Sequence, residues 1–468
     1  MATISLSLLL LFFFSLLFAS SPSSAGIVGV NYGRVANDLP SPSAVASLLE
    51  SSGVSHVKLY DSDPAVLHAL AGTGVSVTVA LPNENLTAAA LSPSFASLWV
   101  RQSVAAYLPS TRISAVAVGN EVFAVSNSTN NLTSSLVPAM LNILSALSDL
   151  GLDKTVKVSS PIALTALQAS YPSSAGSFRP DIADSVMKPM LDLIRNTDSF
   201  LMVNAYPFFA YESNSDVISL DYALFRPNAG VVDAGTGLKY YSLLDAQLDA
   251  VFAAAGRLGF GDVKVSISET GWPSKGDEGE TGAGVENAEA YNGNLVRRVL
   301  SGNAGTPMKP EADMDVYLFA LFNENEKPGP TSERNYGLFY PNQEKVYEVD
   351  LALRGGGGGL KWQEARTSAA AGAGARGETW CVANAMAGKE RLQRGLDYAC
   401  GEGGADCGRI QPGKDCYDPA TLEAHASFAF NSYYQKKGRL AGTCDFHGAA
   451  HVVTQSPKIG KCELPTRA

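Results

Sequence analysis

The stretch "ISAVAVGNEVF", residues 113–123, decides how this chain is read. Seven of its eleven residues are apolar, and then Gly119, Asn120 and Glu121 arrive together. The apolar part is continuous rather than alternating, as expected of a strand covered on both faces in a parallel sheet. Its end delivers a carboxylate where the chain leaves the core. Glu121 alone reads equally well as an ordinary first-turn acid favoured by a helix dipole. The surrounding pattern has to separate the two readings.

Seven more runs of the same kind flank it: "IVGVNYG" (27–33), "VSHVKLYD" (54–61), "VSVTVALP" (75–82), "VKVSSPI" (156–162), "FLMVNAYP" (200–207), "VKVSISETGWP" (263–273) and "DVYLFALFNEN" (315–325). Amphipathic helix-like segments lie between them, at 41–51, 94–108, 134–150, 240–257 and 284–301. Eight strand–helix units over roughly 325 residues predict an α/β fold, a closed (β/α)8 TIM barrel. The alternative is an open doubly wound sheet, but no glycine-rich phosphate turn follows the first strand.

The ends of the chain have different characters. Residues 1–25 carry the apolar run "LSLLLLFFFSLLFA" (6–19), then small residues, and the first charged side chain is Arg34. This reads as a secretory signal peptide cleaved after Ala25, the run being short for a membrane anchor. No membrane span is expected in the mature chain, and the polar C-terminus lacks a lipid-anchor tail. Sequons at Asn85, Asn127 and Asn131 agree with secretion. After a large domain at 26–354 comes a Gly/Ala-rich segment, 355–378, which opens with five glycines. As flexible coil it spans about 27 Å. Its "GAGARG" (372–377) follows no strand and reads as a chance match to a nucleotide fingerprint. All six cysteines, Cys381, Cys400, Cys407, Cys416, Cys444 and Cys462, fall in the last segment, 379–468. An even count in a short secreted module predicts three disulfides, with 15 pairings open. No C-x-x-C pair is present, which argues against zinc.

The formal net charge of −10 argues against nucleic acid and anionic membranes as partners. H-E-x-x-H and G-x-S-x-G are both absent, so zinc-protease and serine-triad chemistry lack their parts. His447 and His451 have metal-like spacing, but two histidines do not make a site; no metal or cofactor is expected. What remains is polar and aromatic residues at strand ends, on the barrel face where active sites gather. These are Tyr32, Asp61, Asn120 with Glu121, Asn204 with Tyr206, Glu269 with Trp272, and Glu324 with Lys327. Glu121 and Glu269 end the fourth and seventh strands, so one rim carries both. Two facing carboxyl groups, one kept protonated and one ionised, are what glycoside hydrolysis needs. Tyr32, Tyr206 and Trp272 suit the faces of sugar rings, whereas Phe208 and Phe322 read as core.

These residues resemble a known family. "VGVNYGR" (28–34), "VKLYD" (57–61), "AVGNEV" (117–122), "VNAYPFF" (203–209), "SETGWPS" (268–274) and "LFNENEKPG" (321–329) are similar to the plant β-1,3-glucanases of glycoside hydrolase family 17. The resemblance implies a retaining endo-hydrolase with Glu121 as acid/base and Glu269 as nucleophile. It makes Asn120 a ligand of the sugar 2-hydroxyl, and Glu324 and Lys327 supporting residues. The last segment resembles the X8 module, a carbohydrate-binding module family, through "TWCVAN" (379–384), "CYDP" (416–419) and "FNSYYQ" (430–435). That resemblance implies β-1,3-glucan binding and the pairs Cys381–Cys444, Cys400–Cys407 and Cys416–Cys462. Trp380, Tyr433 and Tyr434 are its candidate stacking residues, with packing an equal reading for each.

The expectation is therefore a secreted, monomeric wall enzyme acting on β-1,3-glucan, with the vacuole as an alternative address. The rival functions are a mixed-linkage β-1,3;1,4-glucanase and a non-catalytic glucan-binding wall protein.

Overall fold

The computed structural model describes residues 26–124, 132–352 and 379–466, the last range apart from 384–388, 402, 440–442, 445, 447–448, 454–456, 458 and 461. Residues 1–25, expected to be a signal peptide, the expected linker at 355–378, Asn127, Asn131 and His447 lie outside the described residues. The chain divides into two compact units, Met1–Leu360 and Lys361–Ala468.

The first unit is a parallel barrel. Its strand segments are β1 (Val28–Tyr32), β2 (His56–Leu59), β3 (Ser76–Leu81), β4 (Arg112–Val118), β5 (Lys157–Ser159), β6 (Pro161–Ala163), β7 (Phe200–Asn204), β8 (Lys264–Thr270) and β9 (Val316–Leu318). Each pairs in parallel with its chain neighbour, and β1 also pairs with β9. β5 and β6 are the halves of a single fifth strand broken at Ser160: the first half pairs with β4 and the second with β7. The ring is thus the expected (β/α)8 barrel. Helices Pro42–Ser52, Pro93–Val100, Thr133–Asp149, Leu243–Arg257 and Val285–Leu300 fall on the five predicted segments. Ser41, Ser92 and Ser242 cap three of them by accepting a backbone N–H.

Strand alternation sorts the side chains. Val57, Leu59, Val77, Val79, Val116, Val118, Leu201 and Val203 join the large core between barrel and helices. The intervening residues face inward. Some are small or apolar, with Ala80, Ala115, Ala117 and Met202 forming a separate cluster. Other interior positions are polar: Asn31, Lys58, Thr78 and Asn204, none more than 2 % exposed. The interior is a packed core of mixed apolar and polar side chains, and Lys58, Ala80 and Ala117 reach the cleft described below.

β8 departs from strict alternation. Ile267 pairs with Val203, but Glu269, not Ser268, pairs with Asn204. Val265 and Ile267 face the helices, and period two would send Glu269 the same way. The bulge inserts Ser268 and turns Glu269 into the barrel, while Thr270 meets Tyr291 on the outer helix.

The second unit pairs Trp380–Ala383 antiparallel with Ala450–Val453 and packs them on the helices Lys389–Cys400 and Leu422–Lys436. Its disulfides are Cys381–Cys444, Cys400–Cys407 and Cys416–Cys462. A unit this small buries little apolar surface, and cross-links that restrict the unfolded chain compensate.

Candidate active site

Glu121 sits one turn beyond β4. Its backbone N–H donates to Pro161 O at 3.0 Å, which ties the end of the fourth strand to the fifth. Its carboxylate Oε1 accepts from Asn204 Nδ2 at 2.8 Å. Asn204 is fixed in turn, its Oδ1 accepting from Ser268 Oγ at 2.7 Å. Asn204 on β7 pairs in register with Glu269 on β8, so the residue that holds the Glu121 carboxylate is also the strand neighbour of Glu269. Burial raises the Glu121 pKa above the usual range, the nearby Glu269 charge raises it further, and the Asn204 bond opposes both.

Glu269 has different partners. Lys58 Nζ donates to Oε1 at 2.9 Å, and Tyr206 OH donates to Oε2 at 3.0 Å. Lys58 is 1 % exposed and its ammonium lies 4.0 Å from the centre of the Tyr60 ring. Burial and the Glu269 charge push the Tyr60 and Tyr206 hydroxyls well up, so both remain donors. Lys58 and Tyr60 belong to "VKLYD" but are absent from the residues picked out at the strand ends. Lys58 lies within the strand, and only its place in the closed ring reveals its partner.

The other predicted residues divide. Glu324 is buried, and its Oε1 accepts from Val35 N at 2.8 Å, pinning the loop after β1 to the loop after β9. Gly33 makes this approach possible, since a Cβ there would lie 2.5 Å from the carboxylate oxygens. Lys327 Nζ pairs with Glu333 at 3.2 Å and lies over the Phe319 ring. Asp61 is held by Arg34, which also grips Asp63 at 2.8 Å. Asn120 Oδ1 is 3.4 Å from Asn204 Nδ2. Tyr32 is buried edge-on against Phe322. Trp272 corrects the expectation. It is 0 % exposed, its Nε1 donates to Gly282 O at 2.8 Å, and it packs against Phe208, Tyr211 and Tyr291. It supports the rim from behind and presents no face to a sugar. The exposed ring is Phe209, beside Tyr206 at 5.4 Å.

A cleft of about 300 Å³ is lined by Lys58, Tyr60, Asp61, Asn83, Gly119 and Asn120, among others. Asn85 is half-buried at the end of the turn after β3. In the second unit Trp380 and Tyr434 are buried, whereas Tyr433 is half-buried beside the exposed Tyr398. Among the described residues no helix is long and apolar enough to cross a membrane.

Residues 28–351 match the model of glycosyl hydrolases family 17, and residues 379–451 match the X8 domain. Glucan endo-1,3-beta-glucosidase 7 of Arabidopsis thaliana is 41 % identical over 97 % of this chain and 88 % of its own. The glucan endo-1,3-beta-D-glucosidase of Olea europaea is 39 % identical over 98 % of both chains. Among solved structures, a β-1,3-glucanase and pollen allergen of Cryptomeria japonica is 40 % identical, with a TM-score of 0.66 over 70 % of this chain and 99 % of its own.

Proposed function

The chain belongs to glycosyl hydrolases family 17 and carries an X8 domain, and we propose that it is a secreted, retaining endo-hydrolase of β-1,3-glucan. The observation that carries the mechanism is the unequal treatment of two linked carboxyl groups. Glu121 is half-buried and its pKa is raised, with a neutral amide as its hydrogen-bond partner. Glu269 is held by an ammonium and a phenol. The first suits a general acid and the second a nucleophile.

In the first step Glu121 gives its proton to the glycosidic oxygen. The bond from that oxygen to the anomeric carbon breaks as a Glu269 oxygen bonds to the carbon. In the second step Glu121, now a base, takes a proton from water. The resulting hydroxide displaces Glu269 with overall retention. Lys58 and Tyr206 hold Glu269 oriented throughout, and Asn120, Asn204 and Tyr206 are placed to contact the sugar in the reacting subsite.

The C-terminal unit is read as a glucan-binding module that concentrates an insoluble substrate at the cleft by tethering. Three disulfides support an oxidising, extracellular address, in the wall rather than the cytosol. Glu269→Ala is expected to abolish release of reducing sugar from laminarin while the barrel still folds, with a lowered melting temperature because Lys58 loses its buried partner. Near-normal turnover would overturn the assignment. The same assay on mixed-linkage glucan decides the linkage, because a solved plant β-glucan endohydrolase from a pair with distinct substrate specificities is also 39 % identical to this chain.

A further inference from the structure

The chain bends twice as it leaves β4. Gly119 has φ 67° and Glu121 has φ 49°, both in the left-handed region, with Asn120 between them. A non-glycine residue there is strained and persists only where its surroundings over-determine it. Part of that determination comes from neighbouring strands: Gly119 N–H donates to Leu81 O at 2.8 Å and Glu121 N–H to Pro161 O at 3.0 Å. The rest comes from one side chain. Asn83 Oδ1 accepts from Asn120 N–H at 2.8 Å, and Asn83 Nδ2 donates to Asn120 O at 2.9 Å. These two groups belong to the peptide planes before and after the Asn120 Cα. A single amide therefore grips both planes and sets the direction in which the chain enters Glu121.

Two further observations show that the site is arranged around this grip. Asn83 opens a short turn, Asn83–Asn85, directly after β3, the strand that pairs with β4 along its length. A Cβ on Gly119 would lie 2.9 Å from Asn83 Oδ1. The glycine thus supplies the positive φ and also leaves room for the amide. Asn83 lines the cleft, yet both hydrogen-bonding ends of its side chain are committed to the backbone of Asn120.

We propose that Asn83 is a positioning residue for the acid step: its amide clamps the Asn120 peptides and aims the Glu121 carboxyl at the glycosidic oxygen. This rests on the reading of Glu121 as general acid. Loss of the clamp lets Glu121 relax toward an ordinary backbone conformation, and an acid misplaced by about 1 Å costs roughly 10²-fold. The loss falls only on reactions that need the proton.

The test uses the purified full chain and two substrates, a β-1,3-gluco-oligosaccharide and 2,4-dinitrophenyl β-laminaribioside, whose leaving group departs with little protonation. The readout is kcat/KM, which reports formation of the glycosyl-enzyme. Asn83→Ala is expected to lower kcat/KM about 10–100-fold on the oligosaccharide. On the dinitrophenyl substrate it stays within about threefold. Asn83→Asp keeps the acceptor for Asn120 N–H and loses the donor to Asn120 O, so it falls between wild type and Asn83→Ala; it carries the test if Asn83→Ala does not fold. Gly119→Ala, which displaces the amide, gives the same split. Equal losses on both substrates, or no loss on either, overturn the proposal. Glu121→Ala run alongside tells the two failures apart. If Glu121→Ala shows the leaving-group split and Asn83→Ala does not, the clamp alone is wrong. If Glu121→Ala shows no split, the acid assignment falls and the clamp with it.

Discussion

Lys58→Met tests the least exposed ion pair in the barrel. Lys58 and Glu269 meet at 2.9 Å with side chains 1 % and 7 % exposed. Solvent does not screen such a pair, and removing one partner leaves the other charge buried and uncompensated. The expected destabilisation is about 3–5 kcal/mol. Unfolding entropy of roughly 2.1 cal/mol/K per residue gives about 0.7 kcal/mol/K for a unit of roughly 325 residues. The barrel's unfolding transition should therefore fall by about 4–7 °C. Activity should fall further, because the loss is electrostatic and at the reacting atom: about 10²-fold or more in kcat on laminarin. Lys264–Asp198 is the control. Its 2.8 Å separation is almost the same, but its side chains are 69 % and 78 % exposed, and Lys264→Met should leave both quantities unchanged. Calorimetry and a reducing-sugar assay on the two variants make the comparison. A Lys58→Met protein that melts with wild type and keeps kcat within about threefold would refute the argument that burial makes this pair matter.

Two pH dependences follow from the buried acids. In the role proposed for it Glu121 must be protonated, so kcat/KM on laminarin should fall as pH rises, with a midpoint above the ordinary glutamate value of about 4.3 because burial and the Glu269 charge raise this group; Glu121→Gln should abolish that limb, and a midpoint at or below the ordinary value would refute it. Asp249, on the helix Leu243–Arg257, is buried and pushed up to about 6 by that burial, its bond from Met308 N–H opposing the shift. Its folded pKa exceeds its unfolded one, so its contribution is complete below about pH 4 and is lost as pH rises through 6, up to about 3 kcal/mol. The melting temperature of wild type relative to Asp249→Asn should fall over that window, and parallel curves would refute it.

Much of the barrel could be read from the chain because burial on both faces leaves a continuous apolar signature. The eight runs, the five long helices and the strand-end positions of Glu121 and Glu269 all follow from it. Three features do not. Strict alternation along "VKVSISET" points Glu269 outward, and only the bulge at Ser268 turns it in. Lys58 sits mid-strand among apolar residues, and its partner lies 211 positions away. Trp272 looks like a sugar platform in "SETGWPS" but is enclosed by Phe208, Tyr211 and Tyr291. Periodicity reports which face a residue takes, but not which neighbour closure of the ring brings to it. Asn83 belongs with these. "LPNEN" reads as an ordinary turn after a strand, and its engagement with Asn120 exists only across paired strands.

The same closure gives two chemically identical side chains the different surroundings that the proposed mechanism needs. Neither strand ending distinguishes them: each is a glutamate following an apolar run. The difference arises from the second and sixth strands. β2 sends Lys58 into the interior beneath Glu269, and the residues following β7 bring Tyr206 to its other oxygen. Glu121 instead receives its hydrogen bond from Asn204, a neutral group. A carboxyl group withdrawn from water beside another carboxylate favours the acid. Glu269 thus helps to keep Glu121 protonated, through the repulsion that raises its pKa. In the proposed mechanism the first step converts Glu269 to an ester, which removes that charge and lets Glu121 lose its proton more readily. This is the state the proposed second step needs from its base. On this proposal the two roles are coupled through one charge, and the alternation between acid and base follows from where that charge resides.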